Sequence, residues 1–109
     1  MGESCTSVLL AEMPGSNVVK CLQSGMVRWY FNNLMVTFME MDFHTFSKSF
    51  QNINFDVKSW QTEEGNRFVV INTCHQSIQF VIKECEHHRL SELFERARAE
   101  LEILQILNG

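Results

Sequence analysis

Residues 27–50, VRWYFNNLMVTFMEMDFHTFSKSF, contain two hydrophobic patterns that predict a β-hairpin followed by a helix. Asn32-Asn33 separates two runs of strand length, and asparagine tolerates the positive φ that a tight two-residue loop requires. In the second run, residues 34–39, successive side chains are expected to alternate between the two faces of a sheet. The residues predicted to share the core face are Leu34, Val36 and Phe38.

The second pattern begins near Met41, where apolar residues recur at steps of three and four. This spacing indicates an amphipathic helix over residues 41–54, and Asp42 is well placed beside the positive end of the helix dipole. At helical spacing, aromatic residues are typical of a core rather than of a cofactor pocket. The predicted apolar stripe consists of Phe43, Phe46, Phe50 and Ile53.

Related patterns extend the fold in both directions from this stretch. Upstream, the turn-forming residues 14–17, PGSN, separate two short predicted strands. Downstream, apolar or alternating runs predict three more strands, followed by a long C-terminal helix. The predicted strands are residues 8–12, 18–22, 57–61, 67–73 and 78–84, and the helix is residues 86–107. Its predicted stripe is Leu90, Phe94, Ala97, Leu101 and Leu104.

The order of three strands and a helix occurs twice, in residues 17–54 and 56–107. With an offset of 44 residues, the core positions of residues 34–38 fall on Ile78, Phe80 and Ile82. We therefore predict an α+β fold in a single domain, residues 1–109, in which antiparallel strands from two degenerate β-β-β-α repeats form one curved sheet, or two packed halves, covered by two helices. The identities at this offset are Glu40 with Glu84, His44 with His88, Ser47 with Ser91 and Phe50 with Phe94.

Composition limits the classes of function. The 109 residues are 45% hydrophobic and carry a formal charge of -4, the wrong sign for a general binder of nucleic-acid phosphates. No stretch approaches the ~20 apolar residues that span a bilayer, and the N-terminus lacks a signal-peptide pattern. We expect a cytoplasmic protein that binds neither nucleic acid nor membrane. Its cysteines, which include no C-x-x-C pair, are expected to be thiols unless they hold a metal.

The stretch TCHQSIQFVIKECEHH, residues 73–88, holds two of the four cysteines and three of the four histidines. A zinc site needs four converging ligands, and the adjacent pairs in this stretch are expected to diverge, so we predict no metal and no cofactor. A small-ligand or metal-binding domain is the alternative function. The candidate ligands are Cys74, His75, Cys85, His87 and His88.

Catalysis is not expected from this cluster. Cys85 has His88 three residues away, but Glu84 and Glu86 beside it would raise rather than lower the pKa of its thiol. No glycine lies between residues 66 and 108 to help form an oxyanion hole. We therefore predict that the protein is not an enzyme.

The end of the C-terminal helix is apolar around most of its circumference, which exceeds what one sheet contact requires. Either the same chain covers the extra face or a second copy does, and two-fold dimers are the commonest oligomers. We expect a homodimer. Trp29, Tyr30 and Trp60 are expected to line a sheet face, and a ligand groove on that face is an alternative. The interface candidates on the helix are Leu101, Ile103, Leu104, Ile106 and Leu107.

Two motifs carry a resemblance to a known family. Residues 21–25, CLQSG, precede a strand, and residues 31–33, FNN, form the turn before a helix that begins with an acidic residue and Phe. The chain resembles a family of short uncharacterised bacterial proteins with a C-x-x-C-G element and an F-G-N-like turn. Ser24 stands where that family has its second cysteine, so no role of a cysteine pair is implied. The expected function is a small, self-associating interaction or regulatory domain.

Overall fold

The computed structural model describes residues 6–73 and 77–108, and it confirms the α+β class with two antiparallel sheets. Sheet one contains four strands in chain order, each paired with its neighbours in sequence. Its strands are β1 (Ser7–Met13), β2 (Ser16–Cys21), β3 (Val27–Phe31) and β4 (Leu34–Phe38).

Two helices follow sheet one, and a second sheet of three strands precedes the long C-terminal helix. The helices are α1 (Glu40–Gln51), α2 (Phe55–Lys58) and α3 (Glu84–Asn108), and sheet two consists of β5 (Trp60–Gln61), β6 (Arg67–Asn72) and β7 (Gln79–Lys83). The described strands form two sheets, one of the two arrangements that the sequence left open. Within the predicted repeats, three strands precede a helix each time, β2 to β4 before α1 and β5 to β7 before α3, whereas an origin by duplication stays a prediction.

The predicted turns of sheet one are present where the sequence placed them. Gly15 lies between β1 and β2 with φ of 82°, and Asn32 begins the β3–β4 loop with φ of 54°. Both angles lie in the left-handed region that glycine and asparagine occupy at least cost. The backbone N–H of Asn32 donates to the carbonyl of Gly15 at 2.9 Å, which aligns the two hairpins.

The strand predicted for residues 57–61 is wrong over most of its length. Residues 55–58 are helical, because the Asn54 side chain accepts a hydrogen bond from the Asp56 N–H at 2.9 Å and caps the turn. This turn buries Phe55, and only Trp60 and Gln61 then pair with β6.

A single indole joins the two sheets and the two long helices. Trp29 of β3 is completely buried, and its ring lies 5.0 to 5.8 Å from the rings of four other aromatic residues. Its Nε1–H donates to the buried Ser16 hydroxyl at 2.9 Å, which in turn donates to the Tyr30 carbonyl at 2.6 Å. The ring partners of Trp29 are Phe31 of sheet one, Phe46 of α1, Phe80 of sheet two and Phe94 of α3.

Most predicted core residues face this centre, with two exceptions. Leu34 and Ile78 are about half exposed, at 51% and 54%. Leu34 is the first residue after the β3–β4 loop, and Ile78 precedes β7, so both lie at a sheet end. The confirmed core-facing residues are Val36, Phe38, Phe80 and Ile82 of the strands, all four of the α1 pattern, and Leu90, Phe94, Ala97, Leu101 and Leu104 of α3.

Candidate functional site

His87 has a structural position at the beginning of α3. Its Nε2 lies 2.6 Å from the carbonyl oxygen of Phe50, and because a carbonyl can only accept, Nε2 must carry the hydrogen. The imidazole is also held between two rings, 4.8 Å from that of Phe50 and 4.9 Å from that of Phe55. His87 therefore fastens α3 to α1 and α2, and its Nε2 is not available to a metal.

A cluster of charges lies beside His87. Arg67 of β6 donates from Nη1 to Asp56 at 2.8 Å and from Nε to Glu84 at 3.0 Å, and its Nη2 is also paired with Glu84. Its guanidinium carbon lies 5.9 Å from the centre of the Phe55 ring. The hydrogen bonds, first to Glu84 and then to Asp56, raise the pKa of Arg67, and the Arg67 hydrogen bond lowers the pKa of Glu84. The cluster ties α2 and the start of α3 to sheet two.

The lowered pKa of Glu84 makes part of the stability dependent on pH. A carboxyl with a lower pKa in the folded state stabilises the protein above its unfolded pKa, and this contribution is lost as pH falls through the lowered value. As the pH is lowered from neutral to about 3, the free energy of unfolding of Glu84→Gln, measured by urea denaturation, should therefore fall less than that of the unchanged protein. Glu64→Gln, in an exposed turn, is the control and should keep the original pH dependence. Equal pH dependence in all three proteins would contradict this role for Glu84.

The other members of the predicted cluster do not converge with His87. Cys85 is a free, exposed thiol, and the exposed His88 places Nε2 3.7 Å from Oε2 of Glu92 on its own helix. Cys74 and His75 lie outside the described residues. Within residues 6–73 and 77–108, no three His, Cys, Asp or Glu side chains are arranged to hold a metal ion.

A shallow cleft of about 520 Å³ opens beside these groups. It is lined by the charge cluster, by both histidines at the start of α3 and by the loop before α2. The guanidinium of Arg67 already donates to two carboxylates, so an anionic ligand would have to displace them. We therefore interpret the groups that line the cleft as packing contacts between elements and not as a ligand-binding site.

Cys21 corrects the expectation that the cysteines are thiols. The residue lies buried at the end of β2, and it is disulfide-bonded. Disulfide formation requires two Cα atoms within about 7 Å, a condition that depends on tertiary structure rather than on sequence spacing. The absence of a C-x-x-C pattern therefore gave no information about this bond.

The predicted apolar surface of α3 divides into a buried and an exposed part. Leu101 lies in the core and Leu104 packs against it, so these two interface candidates are covered by their own chain. The other three are open, with Ile103 exposed by 47%, Ile106 by 80% and Leu107 by 75%.

The aromatic residues predicted to share a sheet face do not share one. Trp29 lies inside, the adjacent Tyr30 points to the opposite face of sheet one, and Trp60 is exposed on sheet two. A different apolar surface lies along β4 and the start of α1, where Met35, Met39 and other large side chains are exposed. The sequence already indicated this apolar surface, because residues 34–39 contain no charged residue.

These features define a small α+β domain in which two antiparallel sheets share one aromatic core and large apolar side chains remain exposed. The chain belongs to a family of unknown function (DUF6686), whose model matches residues 4–108. This agrees with the predicted membership of an uncharacterised family, while the C-x-x-C-G and F-G-N-like motifs stay predictions. No curated protein and no solved structure matches the chain. Among the described residues, no helix is both long and apolar enough to cross a membrane.

Proposed function

We propose that this domain is a non-enzymatic interaction module that self-associates. The observation that carries the proposal is the uncovered apolar stripe at the end of α3, formed by Ile103, Ile106 and Leu107. Successive residues are about 100° apart around a helix, so this stripe lies opposite the one that Leu101 and Leu104 direct to the core. The last turns of α3 are thus apolar on two sides, and their own chain covers one.

Spacing at i, i+3 and i+4 is the arrangement by which a helix binds another apolar surface. In a two-fold pair, six such side chains would contribute at most roughly 9–18 kcal/mol, since complete burial of one is worth about 1.5–3 kcal/mol. Association costs about 4–15 kcal/mol in lost translational and rotational freedom. The gain from burial and the cost of association are of similar size, so we expect association to depend on concentration.

The non-enzymatic part of the proposal is supported by how the reactive residues are used. His87 is bound to a backbone carbonyl, and Arg67 and Glu84 are bound to each other. The only cysteine of the predicted cluster within the described residues, Cys85, lies on the surface beside two carboxylates. The metal- or ligand-binding alternative stays a prediction. So does the cytoplasmic location, against which the disulfide at Cys21 counts, because disulfides persist chiefly in oxidising compartments.

The proposal predicts a molar mass that rises with concentration above the 12.7 kDa of one chain. Replacing both Ile106 and Leu107 with glutamate should weaken self-association, because a two-fold contact through this stripe would bring like charges together. The matched control is Val57→Glu, which changes an equally exposed apolar residue on α2. Light scattering over a wide concentration range measures all three proteins. A wild-type protein that stays monomeric throughout would overturn the proposal.

A further inference from the structure

Strand β4 is an open edge of sheet one. Among the described residues it pairs only with β3, while β1 at the opposite edge packs against α3. Natural edge strands are usually protected from pairing with other chains by charges, prolines, bulges or a covering helix. β1 carries Glu12, a shift in register between Leu9 and Ala11, and the cover of α3. β4, LMVTF, has a regular register and none of these protections.

The hydrogen-bond pattern shows which backbone groups of β4 face outwards. The backbone N–H of Asn32, the residue after β3, donates to the Gly15 carbonyl before β2. Counting back from Asn32, every second residue of β3, Tyr30 and Arg28, therefore bonds to β2, and the remaining residues of β3 bond to β4. The β3 residues that bond to β4 are opposite Leu34, Val36 and Phe38. The N–H and C=O groups of Met35 and Thr37 therefore point away from β3, along the open edge.

Exposed apolar side chains lie at both ends of this edge. Leu34 and Met35 lie at its beginning, about half exposed, and Met39 and Met41 follow its end, exposed by 62% and 79%. Methionine is enriched at protein interfaces because its flexible side chain adapts to different surfaces. The edge thus combines unpaired backbone groups with an apolar border.

We infer that β4 pairs antiparallel with β4 of a second copy of this chain, joining two four-stranded sheets into a continuous one. The two-fold axis lies at Val36, so that Met35 exchanges backbone hydrogen bonds with the partner's Thr37, and Thr37 with the partner's Met35. A two-fold pair brings equal residues close together, and β4 has no charge that would oppose this. The inference rests on the proposed function, because it names a surface through which self-association occurs.

Two variants test the pairing by different means. Thr37→Pro removes one outward N–H and leaves the β3 ladder intact, since proline is tolerated on an edge strand where its nitrogen faces solvent. Met35→Lys restores the charge that protects natural edges. The control is Val81→Lys, an exposed apolar position on the outer face of sheet two. Sedimentation equilibrium measures the dissociation constant, and far-UV circular dichroism verifies folding.

We expect both β4 variants to raise the dissociation constant at least tenfold and Val81→Lys to leave it unchanged. Should Thr37→Pro not fold, Met35→Lys is sufficient for the comparison. Wild-type affinity in the folded β4 variants, together with weakened association in the Ile106/Leu107 glutamate variant, overturns the β4 inference and leaves the proposed function standing. A wild-type protein that is monomeric overturns both.

The register has a separate test. Val36→Cys places two thiols on the two-fold axis, at a position where opposite Cα atoms lie about 4.5 Å apart and can form a disulfide. In a Cys85→Ser background, which removes the exposed free thiol, oxidation of Val36→Cys should give a covalent dimer on a non-reducing gel, whereas the background protein and Thr37→Cys should give none. Absence of the dimer in Val36→Cys, or equal cross-linking in Thr37→Cys, would overturn the register.

Discussion

Replacing Trp29 with alanine is expected to lower the free energy of unfolding by about 3–5 kcal/mol, as large-to-small changes of buried aromatic residues do. The indole is completely buried, and four aromatic rings from both sheets and both long helices surround it. Its loss also deprives the buried Ser16 hydroxyl of a hydrogen-bond donor. A small domain has about 5–15 kcal/mol of stability, so this single change should remove between about a fifth and all of it.

Trp60→Ala is the matched control, because it makes the same chemical change on the surface. Trp60 is 65% exposed and is paired with Phe68 on the neighbouring strand, so we expect a loss below about 1 kcal/mol. Urea denaturation followed by far-UV circular dichroism compares the two, since this signal does not depend on which tryptophan remains. Equal losses in the two variants would show that the core is not centred on Trp29.

Replacing His87 with alanine is expected to lower the free energy of unfolding by about 1–3 kcal/mol, because it removes a hydrogen bond and aromatic ring contacts, each worth about 0.5–1.5 kcal/mol. The Phe50 carbonyl at the end of α1 would lose its donor at 2.6 Å and keep the Ile53 N–H at 3.3 Å, and a gap would open between the rings of Phe50 and Phe55. The variant should therefore loosen the contact between the start of α3 and the two preceding helices.

His88→Ala provides the control at the next residue. His88 has an exposed side chain on the same helix, so its removal should change stability by less than about 0.5 kcal/mol. Thermal and urea unfolding of both variants measure the difference. If His88 instead proved as important as His87, or if zinc stabilised the unchanged protein and neither variant, the metal-binding alternative would replace the structural role given to these residues.

Most secondary-structure boundaries follow from patterns that are local in the sequence. The alternation in residues 34–38 and the loop at Asn32-Asn33 define β3 and β4 to within a residue, because strand periodicity and turn conformation depend on neighbouring residues alone. The helices with spacing of three and four were likewise found, although α3 begins two residues before its predicted start. The failure at residues 55–58 concerns a single capped turn, which is too short to have a periodicity.

The burial and the contacts of particular side chains were harder to predict from the sequence. Leu101 and Ile106 belong to one apolar run, yet the first lies in the core and the second in solvent, because only one side of α3 meets the sheets. His87 and His88 are adjacent and have opposite environments for the same reason. The disulfide of Cys21 could not be predicted from the spacing of the cysteines in the sequence.

The hairpins, the helices and the aromatic character of the core can thus be read from residues 27–50 and their downstream counterparts, since these depend on contacts between close neighbours in the chain. The division into two sheets, the meeting of both at Trp29 and the direction of the Cys/His side chains depend on contacts between residues far apart in sequence. Such contacts are selected by the packing of whole elements, which no local pattern encodes. The open edge of β4 depends on both the local sequence and the tertiary structure. Its lack of charge is visible in LMVTF, whereas its position at the edge arises from the order of the strands in the sheet.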